Sequence, residues 1–134
     1  DSKPGTLDDQ RSRLYFSPRK AGSGWSRKNK ERVENLIAAG LMMPAGLAKV
    51  DEAKRDGSWS RLDAVEALEI PEDLTKALAA EVNARMYFDA FPRTVKRSIL
   101  EWIANAKKPE TRAKRVLETA RLASENKRAN QWRQ

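Results

Sequence analysis

The sequence predicts an all-α fold, a single domain of five to seven short helices preceded by an extended N-terminal segment. Two observations support this prediction. Apolar residues recur at helical spacing along most of the chain, and Pro44, Pro71 and Pro109 stand where helices would begin. The one run with β character, residues 13–17, is too short for an independent sheet and is expected to lie against the helices.

Composition and the positions of Pro and Gly divide the chain into three parts. Residues 1–24, interrupted by Pro and Gly, are expected to be extended or irregular. Residues 25–126 carry the helical pattern and form the predicted domain, and residues 127–134 form a basic C-terminal tail. A total of 134 residues is enough for one domain with its own core.

The first two helices have recognisable ends. Ser26 is a favourable N-cap, and Gly40 suits the position that follows the end of that helix. Pro44 suits the first residue of the second helix, and Gly57 its end. The predicted inward-facing stripes are Val33, Leu36 and Ile37 on the first helix, and Leu47, Val50 and Ala53 on the second.

The middle of the chain predicts shorter helices. Ser60, with Asp63 three residues later, resembles the cap of a short helix. Pro71 opens the next helix, and the helical pattern then resumes until Pro92. The apolar residues expected to face inward here are Leu74, Ala77, Leu78, Val82, Met86 and Phe88.

The last two helices have the longest apolar stripes. One helix is predicted over residues 93–106 and another from Pro109 to about Glu125. The first stripe contains Val95, Ile99, Trp102, Ile103 and Ala106, and the second Ala113, Val116, Leu117, Ala120 and Ala123.

Charge is distributed unevenly along the chain. The net charge is +8, and residues 93–134 alone hold 12 Lys or Arg against 4 Asp or Glu. Residues 11–32 are also basic, with 8 basic residues and 1 acidic residue. Residues 50–92, in contrast, hold 5 basic and 10 acidic residues. This pattern suggests an anionic partner, but it is equally compatible with an acidic middle that packs near the basic ends.

Missing residue types exclude several kinds of catalytic site. The chain has no Cys and no His, which excludes thiol nucleophiles, Cys/His zinc sites and the Ser-His-Asp triad. No Gly-rich phosphate loop or carboxylate metal loop is recognisable. We therefore expect a protein that is not an enzyme and that needs no cofactor.

The sequence predicts no transmembrane segment. The longest charge-free run, residues 36–48, is shorter than the roughly 20 apolar residues that a spanning helix needs. We expect a cytoplasmic protein. The chain begins at Asp1 rather than Met, so it is interpreted as a fragment, and a periplasmic location stays open.

The basic stretch over residues 103–116 has two interpretations. On a helical wheel its charges border the apolar stripe on both sides, which favours a solvated helix face. The other interpretation is a binding site for an anion or another partner. Lys107 and Lys108, in the turn before the last helix, and Arg112 are its candidates, together with Trp132 in the basic tail.

Trp25, Ser26 and Asn29 form the second candidate group. Asn29 falls within the apolar stripe of the first helix, where a buried amide needs hydrogen-bond partners. These residues could contact a ligand, or they could form a structural cap, with Trp25 packing on the first turn. The cap interpretation is favoured.

Several segments, and their order along the chain, resemble those of the bacteriocin-protection family called YdeI/OmpD-associated. The segments are FSPRKAGSGWSRKNKERVENLIAAGLMMPAGL (16–47), AKRDGSW (53–59), IPEDLTKAL (70–78) and FPRTVKRSILEWIANAKKPETRAKRV (91–116). The resemblance implies a small, mostly helical bacterial protein without an established catalytic activity. Members of this family usually carry a further segment upstream, and residues 1–9 resemble its end.

The resemblance implies a non-catalytic interaction domain that contributes to tolerance of bacteriocins or cationic peptides, or to envelope stress. Its partner would be a protein or peptide. The alternative is a nucleic-acid-binding domain that uses the basic ends of the chain. Direct capture of a cationic peptide would require the acidic region, whose candidate contacts are Asp63, Glu66, Glu69, Glu72 and Asp73.

Overall fold

The computed structural model describes residues 2–131 and, within them, two strands and seven helices. The prediction of a mostly helical fold with an extended N-terminal segment is confirmed. The structure further divides the chain into two compact units, which we call unit 1 (Asp1–Arg61) and unit 2 (Leu62–Gln134). Each unit has its own buried apolar cluster.

Unit 1 opens with a β-hairpin. Strand β1 (Ser2–Thr6) pairs antiparallel with β2 (Ser12–Phe16). In the connecting turn, an oxygen of Asp8 accepts hydrogen bonds from the backbone N–H groups of Gln10 and Arg11. β1 was not predicted because its Pro and Gly indicated irregular backbone, yet both are tolerated in a strand with a free edge. The side chains of β2 are exposed rather than packed on helices, so that prediction was wrong.

The two helices of unit 1 begin and end close to the predicted residues. Helix α1 (Arg27–Ala38) is capped by Ser26, whose Oγ accepts from the backbone N–H of Asn29 at 3.3 Å. Helix α2 (Pro44–Asp56) has Pro at its first position. Gly40 and Gly57 follow these helices with φ of 70° and 83°, a conformation that glycine adopts without a steric penalty.

The buried cluster of unit 1 is small. It consists of Trp25, Val33, Val50 and Ala53, with Met42 and Trp59 partly buried against it. Leu36, Ile37 and Leu47 were predicted to face inward but remain exposed. Helical spacing places them near Val33 and Val50, but the described part of unit 1 has too few elements to cover them.

The described part of unit 2, residues 62–131, contains five helices. They are α3 (Asp63–Glu66), α4 (Glu72–Ala80), α5 (Ala84–Ala90), α6 (Arg93–Ala104) and α7 (Pro109–Ser124). Pro109 opens α7 as predicted. Ser60 does not cap α3, because that helix begins at Asp63 and the Ser60 hydroxyl instead donates to the carbonyl of Gly57 at 3.5 Å.

One continuous core fills unit 2. Phe88 is completely buried, and its ring meets that of Phe91 edge-on at a centroid distance of 5.9 Å. Two predicted core residues, Val82 and Met86, are instead exposed, because α5 begins only at Ala84 and turns a different face inward. The other buried members of this core are Leu62, Val65, Leu74, Leu78, Ala84, Val95, Ile99, Leu100, Ile103, Val116, Ala120 and Ala123.

The described part of the C-terminal segment, up to residue 131, returns onto unit 2. Ala129 is buried, and the guanidinium of Arg128 lies 5.7 Å from the ring centroid of Phe91. The side-chain amide of Gln131 donates to the Ser98 hydroxyl at 3.3 Å. Among the residues described, no helix combines the length and apolar character needed to cross a membrane.

Candidate functional site

A groove between α4 and α7 in unit 2 is large enough to hold a ligand. It encloses about 490 Å³. This volume lies within the range typical of pockets that bind small molecules or inserted side chains. Its lining residues are Asp73, Lys76 and Ala77 from α4, and Pro109, Arg112, Ala113, Val116 and Leu117 from α7.

Helical spacing explains how the groove is lined. The α7 residues stand at positions i, i+3, i+4, i+7 and i+8 from Pro109, so they share one face of the helix. Small side chains at Ala77 and Ala113 leave a depression between the helices, whereas Leu117 stands beside it with 64% of its surface exposed. The sequence placed Leu117 in the core stripe, and this prediction was wrong. The result is an apolar groove with an exposed leucine at its wall.

An ion pair closes one side of the groove and ties the two helices together. Arg112 donates from Nε to Oδ2 of Asp73 at 2.7 Å and from Nη2 to Oδ1 at 3.1 Å. The hydrogen bond from Arg112 lowers the pKa of Asp73, and the same bond raises the pKa of Arg112. Both groups therefore stay charged at neutral pH, in a fork geometry that favours carboxylate binding.

The predicted anion contacts do not form one site. Lys107 and Lys108 lie exposed in the turn before α7, as expected. Arg112 instead binds Asp73, so a ligand would have to compete with an existing bidentate pair. Trp132 lies outside the described residues.

The five predicted acidic contacts are partly occupied within the protein. Glu66 has only 13% of its side chain exposed and accepts two bonds from Arg97, at 3.1 and 2.7 Å. Glu72 forms an ion pair with Lys76 at 3.0 Å, and Asp73 binds Arg112. Asp63 and Glu69 are exposed. The acidic region is therefore used largely for internal pairing.

The group around Ser26 is arranged as a helix cap. Ser26 accepts from the backbone of Asn29, the side chain of Asn29 is half-buried, and Trp25 is buried in the core of unit 1. This geometry agrees with the favoured structural interpretation of these residues.

A cluster of basic and aromatic side chains in unit 1 was not predicted. We call it the cation–tryptophan cluster; it consists of Arg19, Trp25, Lys30, Lys54 and Trp59. The two indole centroids are 5.1 Å apart. The guanidinium of Arg19 lies 3.9 Å from the centroid of Trp25, and the ammonium groups of Lys30 and Lys54 lie 5.1 and 5.2 Å from that of Trp59. The basic residues came singly from separate segments, so no local spacing indicated that they meet.

The basic stretch of α7 borders the core, as its wheel predicted. The guanidinium of Arg115 lies 5.0 Å from the ring centroid of Trp102 and donates to the backbone carbonyl of Trp102 at 2.5 Å. Lys114 and Arg121 are exposed. Arg115 therefore has a packing role inside unit 2.

Comparison with known families finds a match for most of unit 2. Residues 67–126 match the model of the family described as bacteriocin-protection, YdeI or OmpD-associated. Most of unit 2 is therefore similar to that family. The match contains every residue that lines the groove. It also contains two of the four segments on which the sequence resemblance was based, residues 70–78 and 91–116.

A different model matches the start of the chain. Residues 1–49 match a domain of unknown function, and this region includes residues 16–47, whose sequence resembles the bacteriocin-protection family. The boundary between the two matches falls near the boundary between the units. No curated protein and no solved structure matches the chain.

Proposed function

We propose that this chain is a non-catalytic interaction domain, acting in the cytoplasm, whose α4–α7 groove binds an amphipathic helical peptide. The expected biological setting is tolerance of bacteriocins or cationic antimicrobial peptides. The description of the family that matches residues 67–126 supports that setting. The single observation that carries the binding proposal is the apolar groove with Leu117 exposed at its wall.

The shape and chemistry of the groove favour a helical occupant. Two helices flank a floor of small side chains, so the apolar face of a third helix could lie between them. Such a helix would cover Leu117, and burial of one leucine side chain contributes about 2 kcal/mol. The Asp73–Arg112 pair at the edge presents both charge signs to polar residues beside that apolar face.

Binding through apolar contact has more support than capture by the acidic residues. Glu66, Glu72 and Asp73 already pair with cations of unit 2. A cationic peptide would have to replace those partners, and exposed ion pairs contribute only about 0–1 kcal/mol. We therefore expect the apolar face of the peptide to determine affinity and its charge to have a smaller effect.

Peptide titration tests this proposal. Two labelled synthetic helices of about 18 residues, one built from Leu and Lys and one from Leu and Glu, would be titrated against the full chain by fluorescence anisotropy. The Leu117→Ser variant should weaken binding at least about tenfold, because it removes a buried apolar contact. Val82→Ser is the matched control, since Val82 is also exposed but does not line the groove.

The outcomes separate the alternatives. Binding of both peptides that is lost in Leu117→Ser and kept in Val82→Ser supports the groove. Binding of the Leu/Lys peptide alone, unaffected by Leu117→Ser but lost when Asp63, Glu66, Glu69, Glu72 and Asp73 are neutralised, would support acidic capture instead. Failure of both peptides to bind at low salt would refute the proposal. The biological setting is tested by the survival of cells that express Leu117→Ser or Val82→Ser under a cationic antimicrobial peptide.

The alternative, nucleic-acid binding through Lys107, Lys108 and Arg112, has less support in unit 2. Arg112 is held by Asp73, and α7 also presents Glu110 to solvent. The basic surface of unit 1 offers a different location for an anionic ligand.

A further inference from the structure

We propose that unit 1 binds single-stranded nucleic acid, with phosphates held by the cation–tryptophan cluster and bases stacked on the exposed aromatic rings of β2. This inference concerns a surface of unit 1 and is independent of the peptide groove in unit 2. It relies on the convergence of basic side chains from three elements, on exposed aromatic rings nearby in the chain, and on the charge balance of unit 1.

The basic side chains converge on one pair of indole rings. Arg19 comes from the loop after β2, Lys30 from α1 and Lys54 from α2. Because both ammonium groups lie about 5 Å from the same ring centroid, they are at most about 10 Å apart. One strand can therefore reach both ammonium groups at once.

The partial burial of Arg19 also supports phosphate binding at the cluster. Its guanidinium stacks on Trp25 and donates to the carbonyl of Gly24. Partial burial lowers the pKa of Arg19, so part of the hydration of its charge has been removed. An anionic oxygen near this guanidinium would replace lost hydration, which favours a phosphate as ligand.

Exposed aromatic rings lie close to the cluster along the chain. Phe16 has 79% of its surface exposed and is only three residues from Arg19. Tyr15 is also exposed, and the guanidinium of Arg13 lies 4.9 Å from its ring centroid. Base stacking on exposed rings beside a cationic groove is the usual way in which proteins bind single strands without sequence preference.

Charge favours the same conclusion. Residues 1–61 hold 13 Lys or Arg against 8 Asp or Glu. Residues 11–30, which run from the end of the hairpin into α1, contain no acidic residue. A strand that follows this segment would meet cations and aromatic rings without an intervening carboxylate of the same segment.

Fluorescence anisotropy with the full chain tests the proposal. The probes are labelled oligo(U) and oligo(dT) of about 12 nucleotides, a length that suits one small single-strand-binding unit. If about four phosphates are neutralised, affinity should fall about 50-fold between roughly 50 and 200 mM salt. Lys30→Gln with Lys54→Gln should weaken binding at least about tenfold at low salt, because it removes two phosphate contacts.

A control of equal charge change distinguishes a site from general attraction. Lys107→Gln with Lys108→Gln removes the same two charges from unit 2, and it should weaken binding no more than about threefold. Phe16→Leu keeps an apolar side chain but removes the ring, and loss of one stacked base should cost about fivefold or more. Circular dichroism would check that each variant keeps the helix content of the parent chain.

Three results would overturn the proposal. The first is the absence of salt-dependent binding to either oligonucleotide at low salt. The second is equal weakening by the two double variants, which would show attraction by net charge alone. The third is binding to vesicles of phosphatidylserine and phosphatidylcholine without binding to the oligonucleotides, which would assign the surface to membranes.

Discussion

The two units differ in how they use their apolar residues. Unit 2 buries fourteen residues in one continuous cluster that draws on all five of its helices, whereas the cluster of unit 1 has four buried members. Of the twelve large apolar residues that are exposed in the described chain, nine lie in unit 1. Unit 2 thus has the core of a stable scaffold, and unit 1 depends more on aromatic and cationic contacts at its surface.

This difference indicates where each proposed function can reside. A groove needs rigid walls, and the helices of unit 2 are anchored by core residues on their inner faces. A surface that binds a flexible polyanion needs charge and exposed rings more than a large core. Substitutions in each unit test this contrast.

Truncation of a core ring in unit 2 should have the largest effect on stability. Phe88→Ala removes a completely buried ring, and we expect it to lower the free energy of unfolding by about 3–5 kcal/mol. Urea unfolding followed by circular dichroism measures this. Val82→Ala is the control, since its side chain is largely exposed and should change stability by less than about 0.5 kcal/mol. A small effect for Phe88→Ala would contradict the packed core.

The corresponding change in unit 1 should act locally. Trp25→Ala removes the largest member of a small cluster together with its contacts to Arg19 and Trp59, at a cost of about 3 kcal/mol. Amide exchange in α1 and α2 should accelerate, while amides of α6 and α7 keep their protection. Equal acceleration in both units would show that they unfold together.

The pairing between Glu66 and Arg97 should contribute an intermediate amount. Glu66 on α3 receives two hydrogen bonds from Arg97 on α6, and Arg97 also donates to Glu101 at 2.7 Å. We expect Glu66→Gln to lower stability by about 1.5–3 kcal/mol, since it weakens a largely buried, charge-assisted pair. Glu69→Gln, at an exposed position of the same segment, should have almost no effect. Thermal unfolding of both variants measures this difference in stability.

The Asp73–Arg112 pair should have the smallest effect, and that effect should depend on pH. Asp73→Asn is expected to cost about 0.5–1 kcal/mol at neutral pH, because the pair is partly exposed. Arg112 lowers the pKa of Asp73 below its ordinary 3.8. Its stabilisation is therefore complete above that value and is lost as pH falls through the lowered pKa.

Urea midpoints measured from pH 7 to pH 2 check the sign. The difference between the parent chain and Asp73→Asn should shrink only below about pH 4. A difference that disappears already near pH 6 would rule out Asp73 as its source.

Local signals in the sequence determined most helix boundaries. Ser26, Pro44 and Pro109 act through their own backbone geometry, so their effect can be read from neighbouring residues. Gly40 and Gly57 end helices for the same reason. Local rules failed where two neighbouring elements compete, as at Ser60, which bonds the preceding turn rather than the helix that follows.

Long-range contacts could not be predicted in the same way. The periodicity of α7 includes Leu117, but only its position beside α4 leaves that leucine at the wall of a groove. Asp73 and Arg112 were assigned to two different candidate sites, and the fold joins them to each other. Lys30 and Lys54 meet at Trp59 because of the packing of unit 1. Their spacing along the chain does not predict this contact.

Native-state hydrogen exchange of the full chain tests the contrast between the units most directly. We expect amides of α1 and α2 to exchange through an opening reaction of clearly lower free energy than those of α4, α6 and α7, with at least about a tenfold difference in protection. A single opening free energy shared by all of these helices would contradict the division into a strongly packed unit 2 and a weakly packed unit 1.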